Sequence, residues 1–256
     1  MSDDALYVYG IVESSFCKEW SEIGLERKEV YTINEGNFNA LVHKCEEKAY
    51  ISKDPKKIKE MILSHNLILD KAMEDFNGVI PMHFNTIIKR GKGSAQSILK
   101  MWISGNQENL QGILSRVKGK REYGIRIYYD KEKLIEKVSD SEEIKDIETN
   151  REGKGTGLSY LLQSKAKTKV NEIAWHRINE FKKKFYDSIE KVTNNVKVTN
   201  SKVLIEEEKD LLLTLSVLAD KLQIEEIKKT LEESGNDYSF QFAGPFAPYS
   251  FVEDEK

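Results

Sequence analysis

Apolar positions along this chain recur with two different periods, and the switches between them divide it into elements. Leu6 to Val12 is a nearly continuous apolar run rich in β-formers, which predicts a buried strand. The cluster Asn34-Glu35-Gly36-Asn37 predicts a turn, followed by a second strand from Phe38 to Cys45. Asp54-Pro55 then has the form of a helix start, with Asp54 as N-cap and Pro55 in the first turn. Behind it Ile58, Met61, Ile62, Leu69, Met73 and Phe76 recur every three or four residues, an amphipathic stripe that ends at Asn77-Gly78. Val79 to Ile88 predicts a third strand, with Pro81 placing it at an edge, a bulge or a strand start. Helices over 94–103 and 107–117 follow.

The pattern restarts after Lys118-Gly119-Lys120-Arg121, the expected domain boundary. Tyr123, Ile125, Ile127 and Tyr129 alternate as a half-buried strand. An acidic, weakly amphipathic stretch covers 131–150 and leads into a glycine-rich segment at 153–157. A long helix comes next, with one apolar face running from Leu158 and Leu161 through Phe185 to Ile189 and Val192. Strands at Val196–Val203 and Asp210–Ala219, a helix at Leu222–Leu231 and a strand at Tyr238–Gly244 complete the order β-α-β-β-α-β. The expected fold is therefore α+β with two domains. The first is a mixed α+β domain (1–118), the second a ferredoxin-like domain (119–244) with a long first helix, and an extended tail (245–256) follows.

Composition narrows the class. The chain has 256 residues, 39% hydrophobic and 32% charged, enough for two real cores. A formal net charge of -3 supplies no global field toward nucleic acid or anionic lipid. Two cysteines, Cys17 and Cys45, cannot form a disulfide framework or a zinc site and are each expected to be small buried hydrophobes. No signal peptide or membrane-spanning run is visible, so the expected compartment is the cytoplasm.

Candidate chemistry is sparse. Gly91-Lys92-Gly93-Ser94 and the 153–157 segment both lack the spacing of a phosphate-binding loop. His43, His65, His83 and His176 form no metal-ligand pair. His65 falls on an apolar stripe, where a hydrogen-bonded core histidine is the ordinary reading. No catalytic, cofactor or metal residue is assigned, and no cofactor is expected. RNA binding through the ferredoxin-like sheet is the alternative. Against it, the candidate central strand Leu211–Leu218 carries no stacking aromatic.

The tail is the exception to this blandness. Gly244-Pro245-Phe246-Ala247-Pro248-Tyr249-Ser250-Phe251-Val252 is apolar and aromatic, and its prolines forbid a helix or a central strand. It predicts either a strap folded over its own domain or a set of interface anchors. This segment closely resembles the G-P-W-P-P-Y-S-F-V ending of the gas vesicle protein GvpF/GvpL family. The resemblance continues in order along the chain. Leu6 to Val12 is similar to the family's first strand and Val79 to Thr86 to its V-L-P-M-R-F-G-T segment. Glu122 to Tyr128 resembles its E-W-G-V-K-V-Y strand, and Gly157 to Leu162 its G-x-A-Y-L helix start. Here His83 stands for arginine, Asn85 for glycine, Phe246 for tryptophan and Ala247 for proline.

The resemblance implies a minor gas vesicle component without enzymatic activity, in contact with the small hydrophobic shell subunit and other accessory proteins. It implies a cytoplasmic protein associated with gas vesicles. A monomer that binds neither nucleic acid nor membrane is the accompanying expectation. The expected partner-binding residues are Pro81 and Phe84, as a sheet edge, with Pro245, Phe246, Pro248, Tyr249 and Phe251 of the tail.

Overall fold

The computed structural model describes residues 5–21, 23–150, 155–199, 210–235 and 237–252. The chain is mixed α+β with seven α-helices among the described residues, and it divides into two compact units. The first contains the chain up to Tyr123, the short segment Leu218–Asp220 and the tail from Gly244 onward. The second contains Gly124–Val217 and Lys221–Ala243.

The first unit is built on a sheet of strands β1 (Ala5–Glu13), β2 (Glu19–Trp20), β3 (Val30–Glu35), β4 (Phe38–Cys45), β5 (Ile80–Pro81) and β6 (Ile87–Ile88). Their order is β2-β3-β4-β1-β5, with β6 also on β1, and every pair whose register is resolved is antiparallel. Helix α1 (Pro55–Phe76) covers one face, while α2 (Ala95–Gly105) and α3 (Gln107–Val117) cover the other. With apolar layers on both sides, β1 must be apolar throughout, which explains its unbroken run. Leu6 and Val8 face α2 and α3, and Tyr7 and Tyr9 face α1. A register shift between Val8 and Gly10 then reverses the alternation, sending Ile11 to the first layer and Val12 to the second. Gly10 is required at that bulge, because a Cβ there would lie 2.8 Å from both the Ile80 carbonyl oxygen and Val79.

Helix α1 starts where its sequence signals place it: Asp54 accepts a hydrogen bond from the Lys56 amide, and Asn77 ends the helix in the left-handed region. The expected strand Val79–Ile88, in contrast, is two short strands separated by a turn. Met82 N–H still donates to the Tyr9 carbonyl and Val8 N–H to the Thr86 carbonyl, but the residues between leave the ladder. Thr86 N–H closes a turn on His83, and Asn85 takes φ 71°. The glycine found there in the family motif satisfies the same backbone demand.

In the second unit β7 (Arg121–Tyr129), β8 (Val196–Val198), β9 (Asp210–Ala219) and β10 (Tyr238–Phe246) form a sheet in the order β10-β7-β9-β8. The acidic stretch after β7 is two helices, α4 (Lys131–Ser139) and α5 (Glu142–Thr149), each burying a narrow stripe: Leu134 and Val138, then Ile144. Both pack on α6 (Thr156–Glu190), and α7 (Lys221–Glu232) precedes β10. Phe185 of α6 meets Tyr238 at 4.9 Å and Phe240 at 5.8 Å between ring centroids. The expected continuous apolar face of α6 is not buried along its whole length. Leu158 and Leu161 are exposed, as are Tyr160 and Trp175. At 35 residues the helix spans roughly 52 Å, longer than the strands it packs on. Part of the strand expected at 196–203 falls outside the described residues.

Candidate functional site: a strap anchored on paired tyrosines and histidines

The tail belongs to the first unit, where Ala247 enters the α1-side core and Phe251 the α2/α3-side core. A strap feeding both layers must pass around the sheet, and it does so beside β5. There Tyr249 stacks on His83 with ring centroids 6.1 Å apart. The strap starts at Gly244, whose φ of 112° and 2.9 Å approach of an added Cβ to the Glu122 carbonyl oxygen exclude any other residue without strain. It is fixed again at Ser250, whose N–H and Oγ donate to the two oxygens of the buried Glu122 carboxylate, at 2.8 and 2.5 Å. Arg116 donates to the Phe251 carbonyl at 3.3 Å.

Beneath the strap lies a buried polar network built on β1. Tyr7 and Tyr9, two apart and on the same face, each bind the Nδ1 of a histidine at 2.8 Å: His65 of α1 and His43 of β4. Each hydroxyl also accepts a backbone N–H, Asn85 to Tyr7 at 3.1 Å and Leu25 to Tyr9 at 2.9 Å. The Met82 carbonyl, 3.1 Å from His65 Nε2, can only accept, so His65 carries its proton on Nε2 and its Nδ1 accepts from the Tyr7 hydroxyl. The same His65 Nε2–H also faces the Tyr249 hydroxyl (3.0 Å), and His43 Nε2 lies 2.9 Å from the Tyr50 hydroxyl.

The electrostatics follow from burial. His65 is 1% exposed, and desolvation lowers its pKa from 6.5 to about 4, with the Met82 bond opposing and His83 adding slightly. Burial likewise pushes the phenols of Tyr7, Tyr9 and Tyr249 well above their ordinary value. His65 and these three phenols are uncharged at neutral pH, and the network ties the strap, β1 and α1 together. Among the described residues no cluster of three or more histidine, cysteine or acidic side chains could hold a metal ion.

Of the residues expected to bind a partner, Pro81 is buried in β5 and paired with Gly10, and Phe84 is half-buried against the α1-side core. Pro248 and Phe251 are buried and Tyr249 is half-buried. Pro245 is exposed, and Phe246 is 49% exposed. The structure thus gathers the tail residues and the Pro81–Phe84 segment at one place, mostly as anchors, and leaves Pro245 and Phe246 facing outward. On the neighbouring flank of α1, around Asn66, Ile62, Leu63 and Leu67 are also exposed. Ile62, placed with Ile58 on the apolar stripe expected from sequence, is thus exposed, and Leu63 and Leu67 lie outside that stripe. Cys45 is buried as expected, but Cys17 lies exposed in the loop after β1.

A family model described as gas vesicle synthesis protein GvpL/GvpF matches residues 5–253. The chain belongs to that family. Gas vesicle protein L of Haloferax mediterranei is 26% identical over 244 residues, covering 92% of this chain and 74% of that protein. Gas vesicle protein F of the same organism is 23% identical over 256 residues, covering 99% and 95%. The crystal structure of the gas vesicle protein GvpF from Anabaena sp. superposes with a TM-score of 0.72 at 18% identity, over 99% of this chain and 100% of that one. The GvpL/GvpF matches include both types, and the described fold is the one seen in the GvpF structures.

The family assignment gives the chain a gas vesicle-related role. No described helix is long and apolar enough to cross a membrane.

Proposed function

We propose that this GvpL/GvpF protein is a non-enzymatic gas vesicle assembly component that binds the small hydrophobic shell subunit and assists or nucleates vesicle formation. It would act in the cytoplasm as a monomer, at the surface of the growing vesicle. The observation that carries this reading is the outward presentation of Pro245 and Phe246 on a strap whose other residues are locked into the first unit. A half-exposed aromatic held rigid loses little conformational entropy on binding, which is what an interface anchor requires. The strap occupies the place beside Pro81 and Phe84, so these residues support the contact from beneath and the apolar flank of α1 extends it. A shell subunit with an apolar face would aggregate before assembly, and a partner with a matching apolar patch would mask it.

The strand order β10-β7-β9-β8, with α4 to α6 between β7 and β8 and α7 between β9 and β10, supports a ferredoxin-like domain in which α6 is the first long helix. RNA binding through that sheet is less well supported. On the face of β7 shared by Gly124, Arg126 and Tyr128 there is a single aromatic ring, where a stacking sheet carries two or three, and Arg126 and Tyr128 both donate to Gln241, at 3.0 and 3.3 Å. Co-purification of the full chain with the shell subunit from cells producing both tests the proposal. A complex that Phe246→Ala weakens, with the chain still folded, supports it; no association between two folded, soluble proteins overturns it.

A further inference from the structure

A cavity of about 440 Å³ opens in the first unit, lined by the turn at Glu26–Lys28, the end of β4, the 48–51 loop and the start of α1. It involves none of the strap residues, and its reading is independent of the assembly role. Its floor is apolar: Met61 and Cys45 are almost fully buried, and the ring of Tyr50 is half-buried. Its rim is cationic on balance. Lys28, Lys48 and Lys57 stand against Glu26 and Glu46, and Glu46 is itself held by Lys48 at 2.6 Å.

Rim and floor are built as one rigid piece. Glu26 and Arg27 both adopt positive φ, 53° and 59°, two successive non-glycine residues in the left-handed region. Each such residue costs on the order of 1 kcal/mol and persists only where its surroundings enforce it. The enforcement is visible. Tyr9 accepts the Leu25 amide, and Gly24 N–H closes the turn on the Lys28 carbonyl at 3.0 Å. The same Tyr9 hydroxyl continues through His43 to Tyr50, so one hydrogen-bonded chain joins the strained rim to the floor. Tyr50 is clamped from its other side by Asn85, which accepts its N–H at 2.8 Å and donates to its carbonyl at 3.1 Å.

We infer that this cavity is a preformed binding site for a small amphiphilic organic anion, its charged head at Lys28 and Lys57, since Lys48 is paired with Glu46, and its apolar body over Met61 and Tyr50. The volume lies within the usual range for small-molecule sites, and an apolar floor with a few polar groups at the mouth is their usual lining. Ammonium groups on flexible stems suit a phosphate or carboxylate head without fixing which.

The probe is 1-anilinonaphthalene-8-sulfonate, an aromatic body with an anionic head, titrated into the full chain by fluorescence. One saturable site is expected. Its Kd should rise about tenfold in the Lys28→Glu/Lys57→Glu double variant and in Ala49→Trp, which narrows the cavity, with the unfolding midpoint unchanged. Competition by adenosine monophosphate identifies a phosphate-headed ligand, and competition by octanoate a carboxylate-headed one. Inorganic phosphate, lacking a body, should not compete. Probe binding that survives both variants reports a surface patch elsewhere and overturns the inference, as does displacement by neither organic anion.

Discussion

The hydroxyl of Tyr249 lies 3.0 Å from Nε2 of His65, a residue 184 positions away in the chain. This bond ties the family's tail motif to helix α1. Since Nε2–H also serves the Met82 carbonyl, deleting the Tyr249 hydroxyl leaves the imidazole satisfied. Tyr249→Phe should therefore cost only about 1 kcal/mol in urea unfolding, whereas Tyr249→Ala, which also removes the ring stacked on His83, should cost roughly 3 kcal/mol. Equal losses in the two variants would mean that the hydroxyl, not the packing, holds the strap.

His65 also makes stability depend on pH, with a definite sign. Its folded pKa of about 4 lies below the 6.5 of the free group, so between these values the unfolded chain binds a proton that the folded chain refuses. Its contribution is complete above about pH 6.5 and is lost as the pH falls toward 4, by on the order of 3 kcal/mol in all. Unfolding measured at about pH 7.5 and about pH 5 should show about 2 kcal/mol of this loss in the parent chain and a clearly smaller loss in His65→Gln. An undiminished loss in the variant would assign the pH dependence to other groups.

How much of this was legible from sequence depends on how local the cause is. Helix α1 announced itself, because Asp54, Pro55 and its apolar stripe all act within a few turns. Strand β3 was missed although Val30, Tyr31, Thr32 and Ile33 are β-formers, because the adjoining Asn34–Asn37 turn drew the reading away from them. The turn inside 79–88 was hidden because its residues are as apolar as those of a strand; only Asn85, standing where the family motif has glycine, hinted at a left-handed residue. The tail was legible as apolar and prolyl. Its split into anchors and outward residues was not, since burial of Phe251 and exposure of Phe246 depend on partners more than a hundred residues away, such as Arg116 and Glu122.

Asn85 allows that turn to be tested. Its left-handed backbone favours glycine, but its side chain makes two hydrogen bonds to the Tyr50 backbone. Asn85→Gly should lose those bonds and keep the turn, a destabilisation of about 1–2 kcal/mol. Asn85→Ala loses the bonds and adds left-handed strain, so it should be worse by about 1 kcal/mol more. Thermal or urea denaturation of the two variants decides; alanine equal to glycine would show that the turn imposes no strain.

Phe246 and Phe251 separate contact from support within a single motif. Phe251 is 2% exposed and fills the core against α2 and α3, so Phe251→Ala should destabilise by about 3–5 kcal/mol. Phe246 is 49% exposed, so its truncation should cost under about 1 kcal/mol of stability. In a pull-down with the shell subunit the order reverses in kind. Phe246→Ala should weaken capture while the chain remains folded. Phe251→Ala should lower capture only in proportion to its loss of folded protein. If Phe246→Ala binds as well as the parent chain, the strap is a structural clamp, and the shell contact must be sought on the exposed flank of α1 at Leu63 and Leu67.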